Sequence, residues 1–523
     1  MSNTHLKVLA ANIASSGVKY AFGITGGGAS IKLIKYLQQE GVVYYPVGHE
    51  GAGAFMAGAC CRDGHVVAVS IAIKGPGFVN LIPGILSNSY EGRPAITLSE
   101  YYSGDIPLYR MHKRIDHSSL TRTLTKIYTE INGREDQIKQ LISICEEEPI
   151  GPAHIDFGPA PSEKAKFKVH KEIDHKTVDQ ARINHAIEYI EKSKKPVLVL
   201  GSWACRLCNI NFDKLEVPVV TTAAGKGCFN EFSDYSGGVM TGEITLLSPE
   251  TQIIKNSDLI ITIGLRNHEV IKADLQTTTL IMIDNVDFGM QDGFLATLSL
   301  VGNNVELSIP LIINKLEEKC WGKEMISRYK SEVSSALALT DWLPAKVFQL
   351  LQKHLSQDAI LVLDTGFFCT VGETVWKARS SNNFCSSSVG RFMGSAIPTS
   401  IGVSISSKDN PVLCVMGDGG ISPYVGEILL AVKEQLQILF VFMTDGLYGS
   451  ISAFSSNDME TMRAVDIGVD SWCDTVRGMG CKSLQVNNEA ELINTLQDWK
   501  KYPLFLELPF EPKSYAEIAI KLR

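Results

Sequence analysis

Short apolar runs, each bounded by glycine, proline or polar turn residues, alternate with helical patterns along almost the whole chain. That alternation predicts α/β architecture with parallel sheets flanked by helices. Three consecutive α/β domains emerge, spanning 1–165, 178–335 and 340–523. In the first, strands are predicted at Ala21–Ile24, Val66–Ser70, Ala95–Leu98 and His154–Phe157. A charged, turn-poor stretch, Glu163–Glu172, reads as a linker crossing the surface. The second block opens with a helix around Val178–Ser193 and carries strands at Pro196–Leu200, Val217–Thr221, Leu259–Ile263 and Leu280–Ile283. The third holds Ile360–Leu363, Val412–Met416, Ile438–Met443 and Leu504–Leu508.

Against this regular background three segments stand out. The turn Gly417-Asp418-Gly419-Gly420 follows one predicted strand, and Thr444-Asp445-Gly446-Leu447-Tyr448-Gly449 follows the next. The two carboxylates are 27 residues apart, about one strand–helix–strand unit. In a parallel sheet such a unit returns the second turn to the edge where the first sits, and ligands collect there. Glycines let backbone approach phosphate oxygens, and a hard Mg²⁺ ion takes oxygen ligands while keeping a phosphate in its shell. Gly-Asp-Gly is also an ordinary turn tripeptide; the spacing and the second acidic turn favour the metal–diphosphate reading.

The second segment runs from His49-Glu50 into small and apolar residues for more than two turns, so Glu50 opens a buried helix. Its carboxylate either caps the helix start, where negative charge is favoured, or serves as a functional acid whose pKa burial raises. The third segment, Lys74-Gly75-Pro76-Gly77-Phe78-Val79-Asn80, joins a strand to a helix. It reads as a tight turn or as the lining of a crevice at the strand's carboxyl end.

Composition narrows the field. Apolar residues make up 45% and charged residues 20% of 523, the profile of a globular protein with ample core. A net charge of −8 argues against nucleic acid or a membrane surface as partner. No apolar run approaches a membrane span, and the first residues lack a signal-peptide pattern, so a cytoplasmic location is expected. Twelve cysteines are scattered; Cys205 and Cys208 form one CxxC pair without a second, and read as ordinary thiols.

Taken together, these residues resemble the thiamine diphosphate-dependent family of 2-oxo acid decarboxylases and acetohydroxyacid synthases, over nearly the whole chain. Ala21-Phe22-Gly23-Ile24-Thr25-Gly26-Gly27 looks like the family's opening strand and turn, with Thr25 where proline is more usual. His49-Glu50, Gly75-Pro76-Gly77 with Asn80, and Asp116-His117 through Lys126 are similar to its next motifs. Val217–Thr222, Gly225-Lys226-Gly227 and Gly264-Leu265-Arg266 look like its central domain. Phe392-Met393-Gly394 is similar to the segment whose apolar side chain wedges under the cofactor, and 417–449 to the diphosphate–metal motif.

The resemblance implies pyrimidine-binding, central and diphosphate-binding domains, and a homodimer or homotetramer with active sites shared between subunits. It implies that Glu50 hydrogen-bonds the aminopyrimidine ring and promotes its activation. Met393 would bend the cofactor, and Asp418, Asp445 and the Leu447 carbonyl would hold Mg²⁺. Gly75, Asn80, Gly417, Gly419, Gly420, Tyr448, Gly449 and the carbonyl of Arg391 would complete the cofactor site. A flavin (FAD) in the central domain is a feature of acetohydroxyacid synthases; Gly264-Leu265-Arg266 is too short a signal to support it.

Four departures from the family pattern bear on chemistry. Thr444-Asp445 replaces the usual Asn-Asn, and aspartate still offers a hard oxygen. Arg391 stands where glycine is frequent, its side chain directed to a substrate anion or to the surface. His112-Lys113-Arg114, with Arg110 nearby, forms a basic cluster that is either a solvated face or a reader of an anionic acceptor, alongside Thr25 and Gly26 as substrate-side positions. Ile451 stands where simple pyruvate decarboxylases tend to carry an acid, which tilts the reading toward carboligation. The expected activity is therefore decarboxylation of a 2-oxo acid, with pyruvate foremost, and transfer of the acyl-anion equivalent to an aldehyde or ketone. Plain release of an aldehyde is the alternative, and a non-catalytic nucleotide- or partner-binding homologue is the alternative of another class.

Overall fold

The computed structural model describes residues 4–101, 112–130, 135–158, 166–169, 177–242, 245–266, 268–269, 279–288, 295–337, 341–452, 459–468 and 471–522. Its strands form three sheets. The first contains β1 (Tyr20–Gly23), β2 (Val43–Pro46), β3 (Ala68–Ala72), β4 (Ile96–Glu100), β5 (Ile127–Glu130), β6 (Ala153–Phe157) and β7 (Lys166–Val169), in the order β2-β1-β3-β4-β6-β5-β7. The second contains β8 (Pro196–Leu200), β9 (Val219–Thr222), β10 (Ser236–Met240), β11 (Leu259–Ile263), β12 (Thr279–Asp284) and β13 (Leu298–Val301), in the order β10-β9-β8-β11-β12-β13. The third contains β14 (Ile360–Leu363), β15 (Phe384–Ser386), β16 (Val412–Gly417), β17 (Ile438–Thr444), β18 (Lys482–Gln485) and β19 (Leu504–Pro509), in the order β15-β14-β16-β17-β19-β18.

Strands covered by helices on both faces read as continuous apolar runs. Every residue of β8, β11 and β14 is buried accordingly. Among the described residues all the strand pairs are parallel except β5–β7, which is antiparallel. Strand β7 is a correction to the expected surface linker: Lys166–Val169 extends the edge of the first sheet beside β5. Pairing there satisfies backbone groups that a free connector would leave to water. The rest of Glu163–Glu172 lies outside the described residues.

The first and third sheets share one topology once the β7 edge is set aside, and this repeat organises the molecule. In each, a small-residue helix follows the second strand and leads into the third: Glu50–Cys60 in the first domain and Ala396–Ser406 in the third. The two helices pack on each other. A Cβ added at Gly402 would lie 2.4 Å from the Met56 carbonyl oxygen and 2.9 Å from the Ala59 Cβ. Close backbone approach is therefore the reason for the glycine and alanine run. All eleven residues of the Glu50–Cys60 helix are buried.

Candidate functional site

The third-domain half of the site follows from strand register. Gly417 at the end of β16 pairs with Met443 of β17, so the turns after these strands emerge side by side. Thr444 Oγ1 donates to Asp418 Oδ1 at 2.6 Å, and the Asp445 N–H donates to Oδ2 at 3.0 Å. Asp445 Oδ1 accepts from the Leu447 N–H at 3.2 Å. Burial and the neighbouring Asp418 charge push Asp445 up to about 7, and burial also raises Asp418. Two partly desolvated carboxylates in contact are a strained arrangement for protons alone and a fitting one for a hard divalent cation.

Around this acid pair the cradle is tight. A Cβ on Gly419 would lie 2.5 Å from Met393 Sδ and 2.9 Å from the Tyr448 ring, and one on Gly449 would lie 3.0 Å from the Asp445 carboxylate. Met393, Gly419 and Tyr448 therefore converge at the edge that carries Asp418. Met393 is 47%, Tyr448 40% and Ile451 61% exposed, an apolar surface concentrated at a ligand-type strand edge. Gly420 faces the other way, against the buried Asp364 carboxylate.

The first-domain half sits at the matching position of its own sheet. The Gly75 turn follows the third strand, β3, as the Gly417 turn follows β16. Of the two readings for Glu50, capping is performed by its neighbour: the His49 ring Nδ1 accepts from the Gly51 N–H at 3.0 Å. Glu50 is 6% exposed, and its Oε2 accepts from Asn80 Nδ2 at 3.0 Å. Asn80 is thus committed to Glu50. Gly75 has φ +70, and a Cβ there would meet the Lys113 carbonyl oxygen at 2.6 Å. Exposed Lys113 consequently sits against the Gly75 turn, whereas Arg114 hydrogen-bonds Tyr101. Arg110 lies outside the described residues. Exposed Thr25 and half-buried Gly26 precede a helix start already occupied by an internal anion: Glu100 accepts from the Ser30 N–H at 2.6 Å and pairs with Lys74 at 3.1 Å.

Behind the Gly75 turn, Phe78 stacks on His117 with ring centroids 3.8 Å apart. His117 and His154 both bond Asp156 Oδ1, at 2.7 and 3.1 Å, and Tyr128 donates to Oδ2 at 2.7 Å. Lys126 reaches the carbonyls of Ile144 and Glu147, so it braces a helix end.

The Arg391 side chain, 33% exposed, meets an internal acid that the sequence did not point to. Its Nη1 lies 3.0 Å from Oε1 of Glu373, a residue only 1% exposed. Arg391 has φ +47, in the left-handed region that glycine adopts freely and other residues rarely.

Three further acids escaped the sequence reading because their partners are remote. Glu427 accepts the Gly48 N–H at 3.0 Å. Glu91 accepts from the N–H groups of Ser388, Val389 and Gly390 at 3.1–3.2 Å. Asp364, raised to about 6 by burial, accepts from Gly394 and Ala396. A carboxylate at the end of a predicted strand was the available signal for Asp364 alone.

In the central sheet the strand order is that of a dinucleotide-binding fold. An internal acid already sits at the ends of β8 and β9, however: Glu269 accepts from the Ser202 N–H at 3.0 Å and from Thr222 Oγ1 at 2.7 Å. The Ser202 N–H and the Thr222 hydroxyl therefore serve an internal carboxylate. Lys226 is buried, paired with Glu231 at 2.6 Å and bonded to the Glu373 carbonyl at 2.9 Å, which ties the central to the third domain.

Comparison with known proteins agrees with this architecture. Residues 4–119 match the thiamine pyrophosphate enzyme N-terminal TPP binding domain, 183–304 the central domain and 364–508 the C-terminal TPP binding domain. The chain is 23% identical to the acetolactate synthase of Bacillus subtilis (strain 168), over 95% of this chain and 92% of the relative. It is 22% identical to the catabolic acetolactate synthase of Raoultella terrigena, over 94% and 91%. It is also 22% identical to a probable acetolactate synthase large subunit of Methanococcus aeolicus, over 95% and 90%. With the three domains present in order across most of its length, the chain belongs to the thiamine diphosphate-dependent, acetohydroxyacid synthase-like family.

Proposed function

We propose that this protein is a thiamine diphosphate-dependent carboligase of acetolactate synthase type. It decarboxylates a 2-oxo acid, with pyruvate as donor, and transfers the acyl-anion equivalent to an aldehyde or ketone acceptor. The observation that carries the reading is the contact between Asp418 and Asp445 beside Met393, in a chain whose first domain holds Glu50 at the matching edge. Relatives of nearly full length bearing the acetolactate synthase name support it.

Bound thiamine diphosphate supplies a thiazolium ring able to accept the electron pair left when a 2-oxo acid loses CO₂. Asp418, Asp445 and the Leu447 carbonyl would hold Mg²⁺ against the diphosphate. The small residues Gly417, Gly419 and Gly449 would let phosphate oxygens come close to the backbone. Met393 would pack against the cofactor and help position it. Glu50, held by Asn80, would hold a proton at the aminopyrimidine ring nitrogen. Ile451, an apolar residue, would offer no proton at the site, which would favour coupling over protonation.

The bonds to Glu50 come from the first domain, and those to the Asp418–Asp445 turns from the third. Together with the exposed Met393, Tyr448 and Ile451 surface, this supports a homodimer or homotetramer in which the halves meet across subunits. Among the described residues no helix is long and apolar enough to cross a membrane, and we read the location as cytoplasmic.

Incubation with pyruvate, thiamine diphosphate and Mg²⁺ tests the activity. A C–C coupled product is expected; free acetaldehyde alone, with acceptors supplied, would assign the chain to simple decarboxylation. Failure to bind thiamine diphosphate would assign it to the non-catalytic class. The absorption spectrum of the purified protein tests for flavin, which the Glu269 contacts disfavour.

A further inference from the structure

The segment 387–396, which carries Arg391 and Met393, is held by three carboxylates from three places in the chain. Glu91 of the first domain binds the backbone at 388–390, and Asp364 binds Gly394 and Ala396. Glu373, on the Phe367–Val375 helix, binds the Arg391 side chain between them. Cys369 Sγ completes that contact, 3.2 Å from Arg391 Nη1 and 3.3 Å from Glu373 Oε1.

As a stabilising device this pair is poorly made. Glu373 is 1% exposed, yet its Oε2 has no hydrogen-bond partner among the described residues. Burying a carboxylate with both of its contacts at one oxygen and the other oxygen unpaired returns little stability. The pair coincides, however, with a backbone conformation that side chains other than glycine rarely adopt: φ +47 at Arg391. Backbone strain of this kind persists where surrounding contacts over-determine it, commonly at ligand sites.

We propose that Glu373 is a positioning residue: it holds Arg391 in the left-handed conformation, and so sets the Arg391 carbonyl and the Met393 side chain for the cofactor. The inference rests on the thiamine diphosphate reading above. It accounts for an arginine at a position whose backbone asks for glycine, since the buried anion supplies what the missing glycine would have given.

The test is the affinity of the intact protein for thiamine diphosphate with Mg²⁺, measured by titration calorimetry and referred to folded protein by thermal melting. Glu373→Ala should bind about tenfold more weakly, because the side-chain anchor that opposes relaxation of Arg391, a residue disfavoured in this conformation, is then lost. Arg391→Gly should bind about tenfold more tightly than Arg391→Ala, since both lack the guanidinium and only glycine takes positive φ freely. The double variant Glu373→Ala/Arg391→Gly should regain affinity over Glu373→Ala. Equal affinity of wild type and Glu373→Ala, or of Arg391→Gly and Arg391→Ala, overturns the positioning role while leaving the functional reading intact. If Glu373→Ala does not fold, Glu373→Gln, which keeps the side-chain volume and removes the charge that holds Arg391, takes its place with the same expected loss. A wild type that binds no thiamine diphosphate overturns both.

Discussion

The Asp445 N–H donates to the Asp418 carboxylate at 3.0 Å. Two acids that lie 27 residues apart thus touch at the ends of adjacent strands. Asp418 is the member fixed by both Thr444 and Asp445, so it sets the geometry of the pair. Asp418→Ala should weaken Mg²⁺-dependent thiamine diphosphate binding by at least about 100-fold, whereas Asp445→Asn, which retains a carbonyl oxygen ligand, should cost about tenfold or less. Calorimetric titration before and after EDTA treatment measures both.

Glu50 is buried with one amide partner, Asn80. Glu50→Gln should lower kcat by roughly 10²–10⁴-fold with a much smaller change in KM, as expected for a group that acts in proton handling. Asn80→Ala removes only the orienting bond, and its loss should be about tenfold. Steady-state formation of coupled product reads both; an unchanged kcat in Glu50→Gln would remove the assigned role.

Glu427 joins the third domain to the turn before Glu50 through the Gly48 N–H. Glu427→Ala should destabilise the protein by about 1–3 kcal/mol, since the part-buried Gly48 N–H loses a charged acceptor. Urea unfolding gives the value, and a loss below the error of extrapolation would contradict it.

Glu148 is held down to about 2: burial opposes ionisation, but the charges of Arg206 and Arg266, the latter at 2.9 Å, outweigh it. A depressed carboxylate stabilises the fold fully above its unfolded pKa of about 4.3, and the contribution fades as pH falls toward 2. Wild type should therefore exceed Glu148→Gln in stability by on the order of 3 kcal/mol at pH 6, with the gap narrowing between pH 4.5 and 2. Denaturant midpoints of the two proteins across that range measure the gap, and a gap independent of pH would contradict the network.

Much of this molecule was legible in its residues because the relevant physics is local. Central parallel strands are buried on both faces, so Pro196–Leu200, Leu259–Ile263 and Ile360–Leu363 appear as apolar runs with the bounds they have in the fold. Asp418 and Asp445 were legible as a pair because one strand–helix–strand unit sets their separation. Edge strands were not: β2 and β18 are short, and half the residues of each are exposed.

The sequence by itself thus determined three α/β domains, the acid pair and the buried Glu50, since each follows from periodicity, burial and turn chemistry within a few dozen residues. Only the tertiary structure decided how the halves are braced. Glu427 meets Gly48 across 379 positions, Glu91 meets Ser388 across 297, and Arg391 turns inward to Glu373. Those partners are chosen by the packing of the Glu50–Cys60 helix on the Ala396–Ser406 helix and by strand register. A lone carboxylate in a sequence carries no mark of the remote backbone it will hold.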